Sequence, residues 1–267
     1  MRGEVSGPVR LEREDGVARV VLDDPDRRNA LSEPMANGIV DAVRSLEGSD
    51  ARVLVVEGAG PAFCAGGDVD RMIERHEGDE PLEEAIRHIV RNTGRAIRAV
   101  AECTLPTVAM VDGPAFGAGG TLAIACDVQL LSASASVGFG FRNVGLAVDS
   151  GTSALLPRLV GDNVARELVF TGELIEGERA VELGLANHCY PDAEFDERAA
   201  EFVDRIAAGP SVALRTSKRL LRHGPTRSVE EAIEVEADAQ AAVFDTRDHA
   251  EGVAAFRDGR EPEFEGR

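Results

Sequence analysis

The heptapeptides PAFCAGG (residues 61–67) and PAFGAGG (residues 114–120) are two copies of one motif, identical at six of seven positions. Each copy follows a short apolar run, residues 53–57 and 107–111, of the kind that forms a buried strand. Each copy therefore stands where a strand ends and a helix begins. This internal repeat predicts two equivalent units of strand, turn and helix within one fold.

The glycines of the two motifs allow positive φ angles and a close approach of the backbone. A turn of this kind leaves backbone N–H groups unpaired at the positive end of a helix dipole, where they can hold an anion. Neither motif ends in the GK[ST] of a phosphate-binding loop. Two interpretations are open: the glycines serve only tight packing between strand and helix, or the two turns jointly form an anion site from backbone amides.

Around the repeat, short apolar runs alternate with longer helical patterns, which predicts an α/β fold. The predicted strands are residues 17–22, 53–57, 107–111 and 128–132. The predicted helices are residues 34–46, 82–101, 121–126, 153–159, 163–170, 178–183, 196–208, 215–221 and 229–243. Strand patterns nearly vanish after residue 211, so we divide the chain into a core of residues 1–200 and a helical region of residues 201–267. The polar residues 74–84 predict a mobile acidic loop.

The composition suits one large domain, with 267 residues of which 43% are hydrophobic. The chain carries 48 acidic and 29 basic side chains, and its net charge of −19 has the wrong sign for binding nucleic acid or an anionic membrane. Among the basic residues only Lys218 is a lysine. Strong acidity with almost no lysine is typical of proteins in concentrated salt, where screening relieves the repulsion between carboxylates. We therefore predict a halophilic source.

Several kinds of site are disfavoured by the residues present. The four cysteines form no CxxC pair and the five histidines show no HExxH spacing, so neither a disulfide framework nor a metal site is predicted. The chain has no GxSxG elbow, no dinucleotide-binding glycine pattern and no Trp. The first ten residues lack the apolar run of a signal peptide, and no 18-residue uncharged apolar stretch occurs. We expect a cytoplasmic protein without a metal or redox cofactor.

One carboxylate stands out by its surroundings. Asp149 interrupts the apolar segment VGLAVDSG (residues 144–151), directly before the helical pattern of residues 153–159. In one interpretation its side chain caps that helix or forms an Asx turn. In the other it lies in an apolar pocket, where desolvation raises its pKa towards that of a useful proton carrier.

Motifs along most of the chain form a specific set. They are DPDRRNALS (24–32), AFCAGGD (62–68), DGPAFGAGG (112–120), ACD (125–127), LPRLVG (156–161), ARELVFTGELIEGERAVELGLAN (165–187) and EGVAAF (251–256). Together they resemble the enoyl-CoA hydratase/isomerase family, the crotonase superfamily, from about residue 17 to residue 264. The resemblance implies a crotonase-like spiral of repeated ββα units, a C-terminal helical trimerisation region, and an acyl-CoA thioester as substrate.

The resemblance also assigns a role to both glycine turns. It implies that the N–H groups of Gly67 and Ala118 form an oxyanion hole for the thioester oxygen. It implies further that two segments cradle the adenine and pantetheine parts of CoA, through Arg28, Ala30, Leu31, Ala65, Asp68 and Val69. Arg27, Arg28 or Lys218 would then meet the CoA phosphates.

The chain departs from the hydratases of this family at both catalytic glutamates. Counted without gaps from the flanking motifs, Thr121 and Phe141 stand at these two positions, and we expect both to line the substrate pocket. Some double-bond isomerases, a dehalogenase and a ring-forming synthase of the family carry a working Asp at the position of Asp149. The aryl pocket of the dehalogenase uses Trp, which this chain lacks.

The resemblance therefore implies that the chain moves a double bond in an unsaturated acyl-CoA. Asp149 would serve as acid and base, and the Gly67 and Ala118 amides as oxyanion donors. Hydration or thioester hydrolysis, with Asp149 positioning water, and a non-catalytic CoA-binding protein are the alternatives. No cofactor is expected besides the CoA of the substrate, and the trimerisation region implies a homotrimer or a dimer of trimers.

Overall fold

The computed structural model describes residues 7–78 and 80–267, so the first six residues and Asp79, within the predicted acidic loop, lie outside the description. The strands are β1 (Val9–Glu14), β2 (Val17–Leu22), β3 (Val53–Gly58), β4 (Thr107–Val111), β5 (Pro114–Phe116), β6 (Val128–Ser132), β7 (Ser136–Gly138), β8 (Leu174–Glu176) and β9 (His188–Tyr190). The helices are α1 (Glu33–Arg44), α2 (Val69–Glu77), α3 (Leu82–Arg91), α4 (Thr93–Glu102), α5 (Ala118–Ala125), α6 (Thr152–Thr171), α7 (Gly177–Glu182), α8 (Phe195–Ala207), α9 (Ser211–His223), α10 (Val229–Phe244) and α11 (Arg247–Asp258).

Two sheets carry the strands. The larger has the order β1-β2-β3-β4-β6-β9, in which β1 is antiparallel to β2 and the remaining neighbours are parallel. The smaller has the order β5-β7-β8. The chain passes from one sheet to the other twice in succession, from β4 to β5 and again from β6 to β7. This arrangement confirms the predicted α/β class and its repeated units.

The core lies on both faces of the larger sheet. Side chains of β3 alternate between the faces, with Leu54 and Val56 in one buried cluster and Val53 and Val55 in the other. The first cluster includes residues of α1, α4 and α5. The second is closed by α8, whose buried residues are spaced four apart as on one helix face, namely Phe195, Ala199, Val203 and Ala207. Residue 200, where the sequence analysis divides the chain, lies within α8.

The polar stretch between α2 and α3 differs from its prediction as a loop. Residues 74–77 complete α2 and α3 begins at Leu82, so the connection is shorter than predicted. Arg71 of α2 pairs with Glu80 in the connection, and Arg87 pairs with Glu83 on the surface of α3. The predicted helix of residues 82–101 is two helices, because Asn92 (φ −107°, ψ −92°) leaves the helical conformation and its side chain contacts His88.

Two other helices carry features that matter for the site. α5 begins at Ala118, three residues before the predicted start, so the glycine motif itself forms its first turn. α6 contains Gly161 with φ 76° and ψ 162°, which separates the two helices predicted for this region. After α8 the described residues form only helices and connecting segments, as the sequence predicts. Across residues 7–78 and 80–267, every helix is too short or too polar to span a bilayer.

Candidate active site

The two glycine turns lie side by side. Leu54 of β3 is opposite Thr107 of β4, and these residues are 53 positions apart, as are Pro61 and Pro114 at the start of the two motifs. Because parallel neighbours in this register end at the same sheet edge, the turns that follow meet. The Cys64 amide donates to the Pro114 carbonyl oxygen at 3.2 Å, and the Phe116 amide donates to the Cys64 carbonyl oxygen at 2.9 Å.

The glycines are required by this contact. Gly66 has φ 95°, and a Cβ there would lie within 3.0 Å of the Phe116 carbonyl oxygen and 3.3 Å from the Ala118 nitrogen. A Cβ at Gly119 would overlap the Cys64 carbonyl group. The packing interpretation and the anion-site interpretation therefore do not exclude each other, since the close packing is what brings the two turns together.

The backbone amides of Gly67 and Ala118 are available as donors. Neither has a hydrogen-bond acceptor within residues 7–78 and 80–267. Ala118 is the first residue of α5 and its side chain is buried, so its N–H lies at the positive end of a helix dipole. Two unpaired amides in touching turns can hold a developing oxyanion.

The segment of residues 24–32 supports the first turn from the other side. The Ala65 amide donates to the Arg28 carbonyl oxygen at 2.9 Å, and the Leu31 amide donates to the Gly66 carbonyl oxygen at 2.7 Å. Ala30 and Leu31 are buried. Asn29, whose role no sequence pattern predicts, is fully buried and donates from Nδ2 to the carbonyl oxygens of residues 59 and 62 at 2.9 and 2.8 Å. Its positive φ of 56° is a feature that Asn tolerates better than most residues.

Charged residues beside the first turn have different surroundings. Asp68 caps α2 and pairs with Arg27 at 2.7 Å, which occupies its carboxylate. Arg28 is exposed and forms no ion pair within the described part of the chain, and Val69 is also exposed at the start of α2. Lys218 has partners within the chain, and its contact with a CoA phosphate stays a prediction. Its ammonium is nearly buried and already contacts Asp127 and the Leu105 carbonyl oxygen, both at 2.7 Å.

Cys64 lies inside the first motif, but it is not a candidate nucleophile. Burial raises the pKa of its thiol to about 12, so the thiol stays neutral at physiological pH. The Sγ atom donates to the Asn29 carbonyl oxygen at 3.0 Å. Cys64 therefore contributes to the packing of the turn.

Asp149 is half-buried in the segment that precedes α6. Burial raises the pKa of its carboxyl above the ordinary Asp range, and the neighbouring Ser150 hydroxyl offsets part of the rise. Its Oδ1 atom is buried without a hydrogen-bond partner within residues 7–78 and 80–267. The helix-cap interpretation is wrong, because Gly151 is the cap of α6 and no side chain bonds to the first turn. The carboxylate is thus desolvated and available.

Two buried threonines connect Asp149 with the second glycine turn. Thr121, one turn into α5, has its Oγ1 atom 2.6 Å from Oγ1 of Thr152, the first residue of α6. The Thr152 hydroxyl donates to the Asp149 carbonyl oxygen at 2.8 Å. Phe141 is buried in the core nearby. Thr121 and Phe141, the two positions that the resemblance assigns to glutamates, therefore carry no carboxyl group.

A cavity of about 1520 Å³ lies between α3, α4, α6, α8 and α9. Its walls are mostly apolar and reach Ser150 and Gly151, next to Asp149. The cap of α6, Gly151, lines the cavity together with Ala154, Leu155 and Arg158 on one face of that helix. The described residues that line it do not include Phe141, so this residue is not the wall of this cavity.

Comparison with known proteins gives one consistent result. The enoyl-CoA hydratase/isomerase family model matches residues 12–267. The "Enoyl-CoA hydratase domain-containing protein 2, mitochondrial" of Bos taurus is 32% identical over 257 residues, which cover 94% of this chain and 85% of that protein. An enoyl-CoA isomerase/hydratase of Mycosarcoma maydis is 29% identical over 264 residues, covering 94% and 93%. The crystal structure of an enoyl-CoA hydratase from Bacillus anthracis, 29% identical, has a TM-score of 0.90 over 97% of this chain and 100% of that chain. The chain belongs to the enoyl-CoA hydratase/isomerase family and has its crotonase fold.

Proposed function

We propose that this enzyme of the enoyl-CoA hydratase/isomerase family moves a double bond within an unsaturated acyl-CoA. The observation that carries the proposal is the half-buried carboxyl group of Asp149, whose Oδ1 atom is buried and has no hydrogen-bond partner in the described part of the chain. Asp68, which directly follows the first turn, is paired with Arg27 and caps α2. One free base suits isomerisation, because the same group can remove a proton and return it at another carbon.

The proposed reaction begins with a 3-enoyl thioester whose carbonyl oxygen accepts from the Gly67 and Ala118 amides. Asp149 removes a proton from C2, and the electron pair of that C–H bond shifts to form a dienolate with its charge on the oxygen. The two amides stabilise this charge where it develops. Protonated Asp149 then returns the proton to C4, giving the 2-enoyl thioester and restoring the carboxylate.

The CoA part of the substrate would lie along residues 28–31 and 65–69, where exposed Arg28 is available for a phosphate. The acyl chain would enter the cavity beside Ser150 and Gly151. A mostly apolar cavity favours an acyl chain because each buried methylene contributes about 0.8 kcal/mol. Thr121 and Phe141 are buried and do not line this cavity, so they would be uncharged neighbours of the site rather than its wall.

Hydration is the second candidate, because the Bos taurus relative is named for an enoyl-CoA hydratase domain and the Bacillus anthracis relative is named an enoyl-CoA hydratase. In that reaction, or in thioester hydrolysis, Asp149 would position a water molecule. Hydration also asks for a second acid or base, and Thr121 and Phe141 supply none. Isomerisation therefore agrees better with the groups present.

Two substrates and two variants separate these reactions. Crotonyl-CoA and a 3-enoyl-CoA are supplied separately. We expect the wild type to isomerise the 3-enoyl-CoA and not to hydrate crotonyl-CoA. Asp149→Asn should lower kcat by about 10²- to 10⁴-fold. Asp162→Asn, which changes an exposed Asp on α6 that pairs with Arg166, is the matched control and should keep full activity. Hydration of crotonyl-CoA, or full activity of Asp149→Asn, would refute the proposal.

We further propose a cytoplasmic homotrimer or dimer of trimers. All four cysteines are free, which fits a reducing compartment. Large apolar side chains of the C-terminal helices are exposed, with Leu221 at 76%, Val229 at 78% and Phe256 at 91%. Burying each of them between subunits would contribute about 1.5–3 kcal/mol. Sedimentation equilibrium should give the mass of a trimer or a hexamer. Phe256→Glu should shift the association equilibrium towards the monomer.

A further inference from the structure

We propose that Thr152, acting with Thr121, is a positioning residue that holds Asp149 at a fixed place relative to the second glycine turn. The inference rests on the proposed function, since it concerns the base of that reaction. Thr121 and Thr152 are both buried, with exposed fractions of 0% and 1%. Their two hydroxyl groups form a hydrogen bond that joins α5 to the start of α6.

The link is a continuous chain of hydrogen bonds from one helix to the other. Thr121 Oγ1 lies 3.2 Å from the Gly117 carbonyl oxygen, 2.6 Å separates the two hydroxyl oxygens, and Thr152 Oγ1 lies 2.8 Å from the Asp149 carbonyl oxygen. Two hydroxyls have only two protons for these three contacts. The two shortest distances favour donation from Thr121 to Thr152 and from Thr152 to Asp149. The Gly117 carbonyl oxygen already accepts from the Thr121 amide at 3.1 Å.

The segment around Asp149 needs such an anchor. Residues 142–147 before it are exposed, and Ser150 and Gly151 after it have positive φ angles of 52° and 95°. Ser150 in particular adopts a conformation that costs free energy for a residue with a Cβ. The Thr152 amide also donates to the Asp149 carbonyl oxygen, at 3.0 Å, but this bond is local to the turn. The hydroxyl pair connects the turn with α5, three residues after Ala118.

The experiment measures kcat and KM for a 3-enoyl-CoA with the wild-type enzyme and five variants. Thr152→Val and Thr121→Val each remove one hydroxyl with little change in shape, and the double variant completes a mutant cycle. Thr152→Ser keeps the hydroxyl. Thr171→Val is the matched control, because Thr171 lies at the exposed end of α6 and its hydroxyl bonds only locally, to the Glu167 carbonyl oxygen and the Glu173 amide.

We expect Thr152→Val to lower kcat by about 10²-fold with little change in KM, as for a base displaced from its working position. Thr121→Val should have a similar effect, and the double variant should be no worse than either single variant, because both break one link. Thr152→Ser should recover most of kcat, and Thr171→Val should match the wild type. Melting temperatures measured on every form separate lost activity from lost folding.

Two results would overturn the inference. One is a lower melting temperature in Thr152→Val with kcat unchanged, which would make the hydroxyl pair purely structural. The other is additive loss in the double variant, which would show that the hydroxyls act separately. Failure of the proposed function looks different, because Asp149→Asn would then keep its activity. If Thr152→Val does not fold, Thr121→Val and Thr152→Ser test the same link.

Discussion

Replacing Gly66 with alanine should uncouple the two glycine turns while leaving the protein folded. An alanine Cβ would lie within 3.0 Å of the Phe116 carbonyl oxygen, whereas ordinary van der Waals contact begins at 3.4 Å. The turns must therefore separate by at least 0.4 Å, the difference between those distances. Because Gly67 and Ala118 belong to these turns, their amides move apart as well.

The size of the effect follows from two separate costs. A donor pair works only within about 0.5 Å of its productive geometry, and a separation of 0.4 Å as the lower bound already takes up most of that tolerance. Losing one oxyanion donor lowers kcat by about 10²- to 10³-fold. We expect Gly66→Ala to lose about 10²-fold in kcat, the lower end of that range. Alanine at this positive φ also costs about 1–2 kcal/mol of stability, which corresponds to a fall of about 2–8 °C in Tm for a chain of this length.

The assay combines turnover of a 3-enoyl-CoA with proton exchange at C2 of the substrate in D₂O, which reports enolate formation directly. Gly48→Ala is the matched control, since Gly48 has φ 72° and no atom within 4 Å of an added Cβ. It should show a similar fall in Tm with unchanged kcat and exchange. Equal kcat in the two variants would show that contact between the turns does not set the position of the donors.

Three further outcomes are expected. Because burial raises the pKa of Asp149, its ionised form lowers stability at neutral pH and the penalty disappears below the ordinary Asp pKa of about 3.9. Asp149→Asn should therefore raise Tm at neutral pH and lose this gain in acid, and a lower Tm than the wild type at neutral pH would contradict the assignment. Ala154→Trp, which fills the cavity beside Gly151, should lower kcat/KM by about fourfold for each methylene it excludes; equal losses for short and long acyl chains would rule out this path. The net charge of −19 predicts a higher Tm in concentrated than in dilute KCl, because the Debye length falls from about 10 Å at 0.1 M to about 3 Å at 1 M; the reverse order would count against a halophilic protein.

Much of the fold could be predicted because its central strands are mostly apolar. β2, β4 and β6 have the bounds that their sequence patterns predict. β1 could not be found in this way, since four of the six residues in VRLERE are charged. It forms because it pairs with β2 along its full length, from Val9 opposite Leu22 to Glu14 opposite Val17. That pairing depends on the hairpin rather than on the pattern of β1 alone.

The candidate site, too, could be predicted from the sequence only in part. The repeated motif reveals both turns, and the spacing of 53 residues between the copies equals the register of β3 against β4. Asn29 carries no such signal, because its role depends on carbonyl groups 30 and 33 residues away. The Thr121 and Thr152 pair joins residues 31 positions apart. Contacts of this kind follow from tertiary packing, which a local pattern does not encode.

The contacts that form the site are mostly between uncharged groups, and this bears on how the protein works in salt. Asn29 bonds to backbone carbonyls, the two threonines bond to each other, and the turns meet through their backbones. Screening by ions weakens attraction between exposed charges but not buried neutral hydrogen bonds. The ion pair of Arg27 with Asp68 is partly exposed and contributes little in concentrated salt. Salt should therefore change the stability of the whole chain much more than the relative positions of the two turns and Asp149.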